Sequence, residues 1–210
     1  MKKLLVFVLC LCMLSCALAD DAITYDEQGN TVQTIHYDDG TYLTIIYYAQ
    51  PTEDGLYLVE EILSDGSYRT LMWQNETDTV RTDIYRDGIL EMSRHALDNG
   101  DFRIDSYDET GTMTYYTLDY ATPNAEGYEV SQRFLPDGTI DHEWWWGPDD
   151  LYHEIWYEGG KVDFWTYWWY NVDGHDVRYE EHCSNYSKYR YYDYDASGEL
   201  VMTEGETVLH

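Results

Sequence analysis

Short runs of tyrosine, threonine, isoleucine and valine alternate with turn residues along the chain. Two such runs are residues 41–48 and 127–135. Asx-Gly pairs punctuate the runs and tolerate the positive φ angles of tight hairpin turns. The pairs are Asp39-Gly40, Asp54-Gly55, Asp65-Gly66, Asp87-Gly88, Asn99-Gly100, Asp137-Gly138 and Asp173-Gly174. Because almost no segment has helical periodicity, the pattern predicts an all-β antiparallel meander of tandem hairpins.

Both faces of the predicted strands carry aromatic residues. In residues 163–170, one face holds Phe164, Thr166, Trp168 and Tyr170, and the other holds Trp165, Tyr167 and Trp169. A strand with one solvated face would alternate apolar and polar residues instead. We expect an elongated, twisted single layer whose faces are paved with cross-strand aromatic pairs. The alternative is a closed barrel or stacked sheets, which would cover both faces.

The chain also matches itself when it is shifted by 72 residues. Eleven of the 43 positions from 48 to 90 are identical to their shifted partners, among them Pro51 with Pro123 and Trp73 with Trp145. Internal repetition indicates a repeat architecture. We therefore expect a single β-repeat domain over residues 20–210. Copy one spans about 23–94, copy two about 95–166, and a partial, diverged third copy 167–210.

The first 19 residues have the organisation of a secretory signal peptide. Lys2 and Lys3 precede an uncharged apolar run over residues 4–14, and the small-x-small triplet 17–19 supplies a cleavage site. The apolar run is too short to span a bilayer comfortably, and no second one follows. We expect secretion of a mature chain with no transmembrane segment. In the alternative, residues 13–16 act as a lipobox, and Cys16 anchors a lipoprotein in the membrane.

The charge balance restricts the possible partners. The chain has 41 acidic and 12 basic residues, a net charge of −29. Signal cleavage removes two lysines and no acid, which leaves −31. Nucleic acids and anionic membrane surfaces would be repelled by such a chain. With 23 tyrosines and 8 tryptophans the chain is too aromatic to be disordered. Cys183 is the only cysteine beyond the signal, so the mature chain forms no intramolecular disulfide.

Three short motifs resemble known repeats. Tyr25-Asp26-x-x-Gly29, Tyr107-Asp108-x-x-Gly111 and Tyr194-Asp195-x-x-Gly198 resemble the turns of bacterial tyrosine–aspartate (YD) repeats, which build β-hairpin sheets on secreted proteins. Residues 189–198 also resemble the aromatic hairpins of cell-wall-binding repeats, which bind choline or glucan. Both resemblances imply a secreted β-repeat protein with a binding or shell role.

Tryptophan is concentrated in one segment. Seven of the eight tryptophans are Trp144, Trp145, Trp146, Trp156, Trp165, Trp168 and Trp169. Exposed indoles stack on sugar rings or cap quaternary ammonium groups, whereas buried ones form a core. Alternation along a strand also permits a mixture of the two. We expect a binding surface for carbohydrate or a cell-wall polymer, with no enzymatic activity. The alternative is a structural or shielding protein with all its aromatics internal.

Two further sites are weaker candidates. Residues 193–204 have the oxygen spacing of a calcium-binding loop, with Asp193, Asp195, Ser197, Glu199 and Glu204 as ligands, although a hairpin turn explains the same residues without calcium. We expect no other cofactor. Glu143 and Glu154, near the tryptophans, are the candidate acid pair of a glycosidase. Such a pair requires a defined carboxylate separation, so a glycoside-active enzyme is the third hypothesis.

Overall fold

The computed structural model describes residues 22–147, 151–170, 176–183, 186–194 and 200–208. These residues form strands joined by turns. The strands are β1 (Ala22–Tyr25), β2 (Thr31–His36), β3 (Tyr42–Tyr47), β4 (Tyr57–Leu63), β5 (Tyr68–Gln74), β6 (Thr79–Arg86), β7 (Ile89–Ala96), β8 (Phe102–Tyr107), β9 (Met113–Asp119), β10 (Glu129–Phe134), β11 (Ile140–Trp146), β12 (Leu151–Glu158), β13 (Lys161–Tyr170), β14 (Asp176–Cys183), β15 (Tyr186–Tyr194) and β16 (Leu200–Val208).

The strand order in the sheet is the order in the chain, from β1 to β16. Consecutive strands pair antiparallel, as β4 does with β5 and β12 with β13. The all-β antiparallel meander predicted from the turn signals is therefore confirmed, and the sheet is open. The described residues contain no helix with the length and hydrophobicity that a membrane span requires.

Contact density divides the chain into two units, with the boundary between Ile89 and Leu90. The first unit includes β1 to β6, and the second includes β8 to β16. The 72-residue repeat relates strands of the two units. Shifted by 72 residues, the bounds of β5 and β6 coincide with those of β11 and β12. The sequence repeat is thus also a repeat of strand positions.

Many of the hairpins share one turn. Between β10 and β11, Gly138 N donates a 2.9 Å hydrogen bond to Leu135 O, and Leu135 N donates one of 2.8 Å to Thr139 O. Gly138 has a φ of 85°, the left-handed value that closes a type I turn with a bulge. Asp137 Oδ1 accepts from Thr139 N at 2.9 Å, and the bonds from Thr139 lower the pKa of Asp137. Six of the seven Asx-Gly pairs have glycine at positive φ; Asp173-Gly174 lies outside the described residues.

The most buried side chains are mainly polar. Among the described residues, the buried apolar side chains are Ile45 and Val59. The buried polar set is larger: Asn30, Glu60, Thr70, Asp83, Ser93, Asp105, Thr117, His142, Glu143, His153 and Thr166. A globular domain usually buries apolar side chains in one core, whereas the buried side chains of these described residues are mostly polar. Half-buried aromatic rings pack instead against buried polar groups, as Trp156 does on His142 and Tyr167 on His153.

Arginines complete this packing by joining a carboxylate to a ring. Arg81 donates to Asp83 at 2.6 Å, and its guanidinium lies 4.6 Å from the Trp73 ring. Asp83 is only 1% exposed, so a charge partner is required to hold it in the folded chain. Arg103 repeats the arrangement with Asp105 at 2.8 Å and the Tyr116 ring at 4.0 Å. The guanidinium covers apolar ring surface while it neutralises the acid.

Candidate functional site

The seven clustered tryptophans lie on three adjacent strands, β11, β12 and β13. Residues directly opposite each other in a sheet lie on the same face. Trp144 is opposite Glu154, and Trp145 is opposite His153. Alternation along each strand then divides the tryptophans. One face, named the Trp156 face, carries Trp144, Trp146, Trp156 and Trp168; the other, the Trp145 face, carries Trp145, Trp165 and Trp169.

The division separates residues that the sequence treats as one candidate surface. Trp146 is 46% exposed, and the other six tryptophans are half-buried. None of the seven is fully buried, so these rings do not form an enclosed core. Each packs against cross-strand neighbours and keeps part of its surface in contact with solvent.

A short motif orients one indole on each of these strands. Trp145 Nε1 donates to Glu143 Oε1 at 2.8 Å, two residues earlier on the same face. Trp156 Nε1 donates to Glu154 Oε2 at 3.3 Å, and Trp168 Nε1 donates to Thr166 Oγ1 at 3.2 Å. An indole N–H needs an acceptor when it is partly buried. The two-residue spacing of acceptor and tryptophan is visible in the sequence, and sequence reasoning missed it.

The Trp156 face is organised as three cross-strand rows. The first row is Trp146, Tyr152, Trp168 and Tyr179; the second is Trp144, Glu154, Thr166 and Glu181; the third is His142, Trp156 and Phe164. Ring contacts join members of the outer rows, with centroids 4.3 Å apart for Trp168 and Tyr179 and 5.8 Å apart for Trp156 and Phe164. The middle row therefore places carboxylates and a hydroxyl between two rows of rings.

Glu154 is the polar centre of this face. Its Oε1 accepts from the Tyr152 hydroxyl at 2.6 Å, and its side chain is 21% exposed. His142 Nε2 lies 3.8 Å from the same oxygen, too far for a hydrogen bond. His142 stacks on Trp156 with ring centroids 3.9 Å apart. Burial lowers the pKa of His142, so its imidazole is neutral at pH 7.

On the Trp145 face, the rings are covered by their own neighbours. The guanidinium of Arg178 lies 4.3 Å from the Trp169 ring. His153 stacks on Tyr167 at 4.2 Å and is only 5% exposed, and burial lowers its pKa. Burial alone would raise the pKa of Glu180, but hydrogen bonds from Arg178 and His182 outweigh it and lower that pKa.

Glu143 and Glu154 lie on opposite faces of the sheet. Glu143 is opposite Ile155 in the β11–β12 register, whereas Glu154 is opposite Trp144. Glu143 accepts from Gln132 and Trp145 on its own face. The two carboxylates therefore cannot flank one glycosidic bond, and the acid pair suggested by the sequence does not exist as a single site.

The candidate calcium loop falls largely outside the described residues. Asp195, Ser197, Glu199 and the side chain of Asp193 lie there. Glu204 is described on β16, with Arg190 at 3.7 Å. In the described part of the chain, no cluster of three or more His, Cys, Asp or Glu side chains is arranged to hold a metal ion. The calcium hypothesis stays a prediction.

Flat rings beside fixed acceptors suit a ligand that has both apolar faces and hydrogen-bond donors. Four described strands contribute residues to the Trp156 face, and its outer rows are aromatic. No protein-family model and no curated protein matches the chain. The functional argument therefore depends on the geometry of this face.

Proposed function

We propose that the chain is an exported, non-enzymatic module that binds a carbohydrate or a cell-envelope polymer through the Trp156 face. One observation carries the proposal: a row of hydrogen-bonding side chains lies between two rows of aromatic rings. Sugar rings present apolar faces and peripheral hydroxyls, and this arrangement offers a partner for each. The export signal and the resemblance to YD repeats support a role outside the cytoplasm.

The rows run across the strands, which favours an extended ligand. Neighbouring strands are separated by about 4.8 Å, so the middle row from Trp144 to Glu181 repeats a contact at each of four strands. A linear polymer lying along this row would meet an aromatic or polar side chain at every strand. A compact small molecule would use only a fraction of these contacts.

The Trp156 face is a better candidate than the Trp145 face because its polar centre is less occupied. Arg178 covers Trp169 and also binds Glu180 on the Trp145 face. On the Trp156 face, Trp146 is 46% exposed, and Glu154 keeps 21% of its side-chain surface. On this face Arg133 lies 5.7 Å from the Trp156 ring and Lys188 pairs with Glu181, but neither forms an ion pair with Glu154. A ligand could therefore contact the Trp146 indole and the Glu154 carboxylate without displacing an ion-paired cation from that carboxylate.

A structural or shielding role is the second candidate. It is favoured by the half-burial of Trp156, Trp168 and four other tryptophans of the cluster. In that case the rings would serve to cover the polar middle of each strand, and no ligand would be required. The two functions differ in whether the indoles respond to a polymer.

Tryptophan fluorescence of the purified mature chain, titrated with soluble glycans and cell-wall fragments, separates the two functions. We expect a saturable change with at least one polymer, lost in Trp146→Ala and Trp168→Ala but kept in Trp169→Ala, which removes a ring from the opposite face. Acrylamide quenching measures indole exposure in parallel. If no polymer changes the emission and acrylamide does not quench it, the structural role replaces the binding role.

A further inference from the structure

Glu154 differs from Asp141 and Glu181 because it forms no ion pair with an arginine or lysine of the described residues. Asp141 accepts from Arg133 Nε at 2.7 Å, and Glu181 has Lys188 Nζ at 3.8 Å. In the described part of the chain, no arginine or lysine forms an ion pair with Glu154. Among the described residues, His142 at 3.8 Å is the basic side chain within ion-pair distance of Glu154, and burial keeps this imidazole neutral. Glu154 is thus a partly exposed carboxylate that accepts hydrogen bonds from Tyr152 and Trp156 but forms no ion pair with an arginine or lysine of the described residues.

His142 provides a second, independent observation at the same place. Its side chain is 9% exposed, and its Nε2 is a buried polar atom without a hydrogen-bond partner. Buried polar groups are nearly always hydrogen-bonded, so an orphaned one requires an explanation. A neutral imidazole has one nitrogen that accepts a hydrogen bond. With the proton on Nδ1, Nε2 and Glu154 Oε1 form two acceptors 3.8 Å apart.

We infer that this acceptor pair binds the ammonium group of an amino sugar in a polymer lying on the Trp156 face. The inference rests on the proposed carbohydrate-binding function and specifies its ligand. A primary ammonium has three donors and no acceptor, and its nitrogen could lie about 2.8 Å from both acceptors. Trp144, directly opposite Glu154 in the register, is placed to stack on the sugar ring.

Other ligand chemistries satisfy this pair less well. A carboxylate or sulfate group on an acidic polymer would be repelled by Glu154 and by the net charge of −29. A neutral hydroxyl has one donor and can satisfy only one of the two acceptors. Nε2 itself has no contact with solvent, so binding requires the Glu154 side chain to turn away from the bonds that it accepts from Tyr152 and Trp156. The 3.8 Å separation therefore describes the chain before the ligand binds.

The test compares two matched ligands by isothermal titration calorimetry. Glucosamine disaccharide carries the ammonium groups, and its N-acetylated counterpart has the same rings without the charge. We expect the amino form to bind about tenfold more tightly, since charge-assisted hydrogen bonds are roughly twice as strong as neutral ones. Glu154→Gln should abolish this preference and leave the acetylated form unaffected.

Glu143→Gln is the matched control, because it removes an equal charge from the opposite face and its carboxylate also accepts an indole N–H. It should keep the preference, which excludes a general attraction of cations to an acidic protein. Thermal unfolding of both variants confirms that they are folded. Adding the amino sugar should change the ¹⁵N chemical shift of His142 Nε2 in the parent chain. The same addition should change it less in Glu154→Gln.

The outcomes separate the inference from the proposed function. Equal binding of the two disaccharides, or a preference unchanged in Glu154→Gln, would overturn the ammonium site and leave carbohydrate binding standing. Binding of a simple diamine as tightly as the amino disaccharide would overturn the sugar component. If neither disaccharide binds, and longer oligomers of both kinds also fail, the amino-sugar ligand is wrong. The proposed function itself is wrong if the panel of glycans and cell-wall fragments also produces no change in tryptophan fluorescence.

Discussion

The hydroxyl of Tyr48 donates a 2.6 Å hydrogen bond to the carboxylate of Glu60. Seventy-two residues further on, Tyr120 donates an equally short bond of 2.6 Å to Gln132. The repeat therefore preserves a tertiary contact, although the acceptor changes from a charged to a neutral side chain. The bond to Glu60 is the largest cause that raises the pKa of Tyr48 to about 12.

Tyr48→Phe and Tyr120→Phe measure what this contact contributes in each copy. Hydrogen bonds to charged groups stabilise proteins by more than neutral ones. We expect Tyr48→Phe to lower the free energy of unfolding by about 1.5 kcal/mol and Tyr120→Phe by about 0.5–1 kcal/mol. Urea unfolding at pH 7 gives both values. Equal losses in the two variants would show that the acceptor's charge contributes nothing to the contact.

Much of the fold could be predicted because turns and strand alternation are local properties. The run 41–48 predicted a strand, which the structure places at Tyr42–Tyr47, and the run 127–135 contains β10. The six described glycines of the Asx-Gly pairs adopt the positive φ that the hairpin signal requires. Local chemistry sets these features, so no knowledge of distant contacts was needed.

The candidate site was less predictable because it depends on cross-strand register. Alternation alone separates Trp144 from Trp145, which is why the seven tryptophans do not form one surface. The approach of His142 to Glu154 also requires the β11–β12 pairing, which places Trp156 opposite His142. A shift of one residue would exchange the faces of every side chain on β12.

Gly66 tests the turn that recurs along the chain. It has a φ of 77°, and a Cβ added there would meet no atom within 4 Å. Gly66→Ala therefore costs only the strain of placing an alanine in the left-handed region of φ. We expect the free energy of unfolding to fall by about 1–2 kcal/mol. Gly66→Asn should lose less, since asparagine tolerates the left-handed region. A loss as large for asparagine as for alanine would contradict this account of the turn.

Acid should destabilise the chain through its buried histidines. Burial lowers the pKa of both His142 and His153. The unfolded chain takes up these protons near the ordinary value of 6.5, whereas the folded chain does not. The free energy of unfolding therefore decreases as the pH falls below about 6.5. Once the pH is below the lowered pKa values of the folded chain, the two histidines cause no further decrease. Urea midpoints measured at pH 7.5, 6 and 5 should decrease in that order.

His153→Gln removes one of the two groups and should make this decrease shallower, whatever it does to stability at pH 7.5. His36→Gln is the control, because His36 is exposed on β2. It should keep the full pH dependence of the parent chain. A parent chain whose urea midpoint is constant from pH 7.5 to 5 would show that the two imidazoles are hydrated in solution.

Salt should stabilise the folded chain because acidic residues outnumber basic ones by 41 to 12. Like charges repel more strongly in the compact state than in the unfolded one. At about 0.5 M sodium chloride the screening length falls to roughly 4 Å, which weakens this repulsion. The partly buried ion pairs, such as Arg81 with Asp83 at 2.6 Å, are screened less. Because salt weakens the repulsion more than it weakens these ion pairs, we expect the thermal midpoint to rise between 20 mM and 0.5 M salt.

Asp98→Lys separates net repulsion from specific ion effects. Asp98 is an exposed turn residue, and its replacement lowers the excess negative charge by two. The variant should unfold at a higher temperature than the parent chain at low salt, and the difference should shrink at 0.5 M because both chains are then screened. A midpoint that falls with added salt in the parent chain would instead mean that attractive ion pairs outweigh the repulsion. Differential scanning calorimetry of the two chains at the two salt concentrations distinguishes these results.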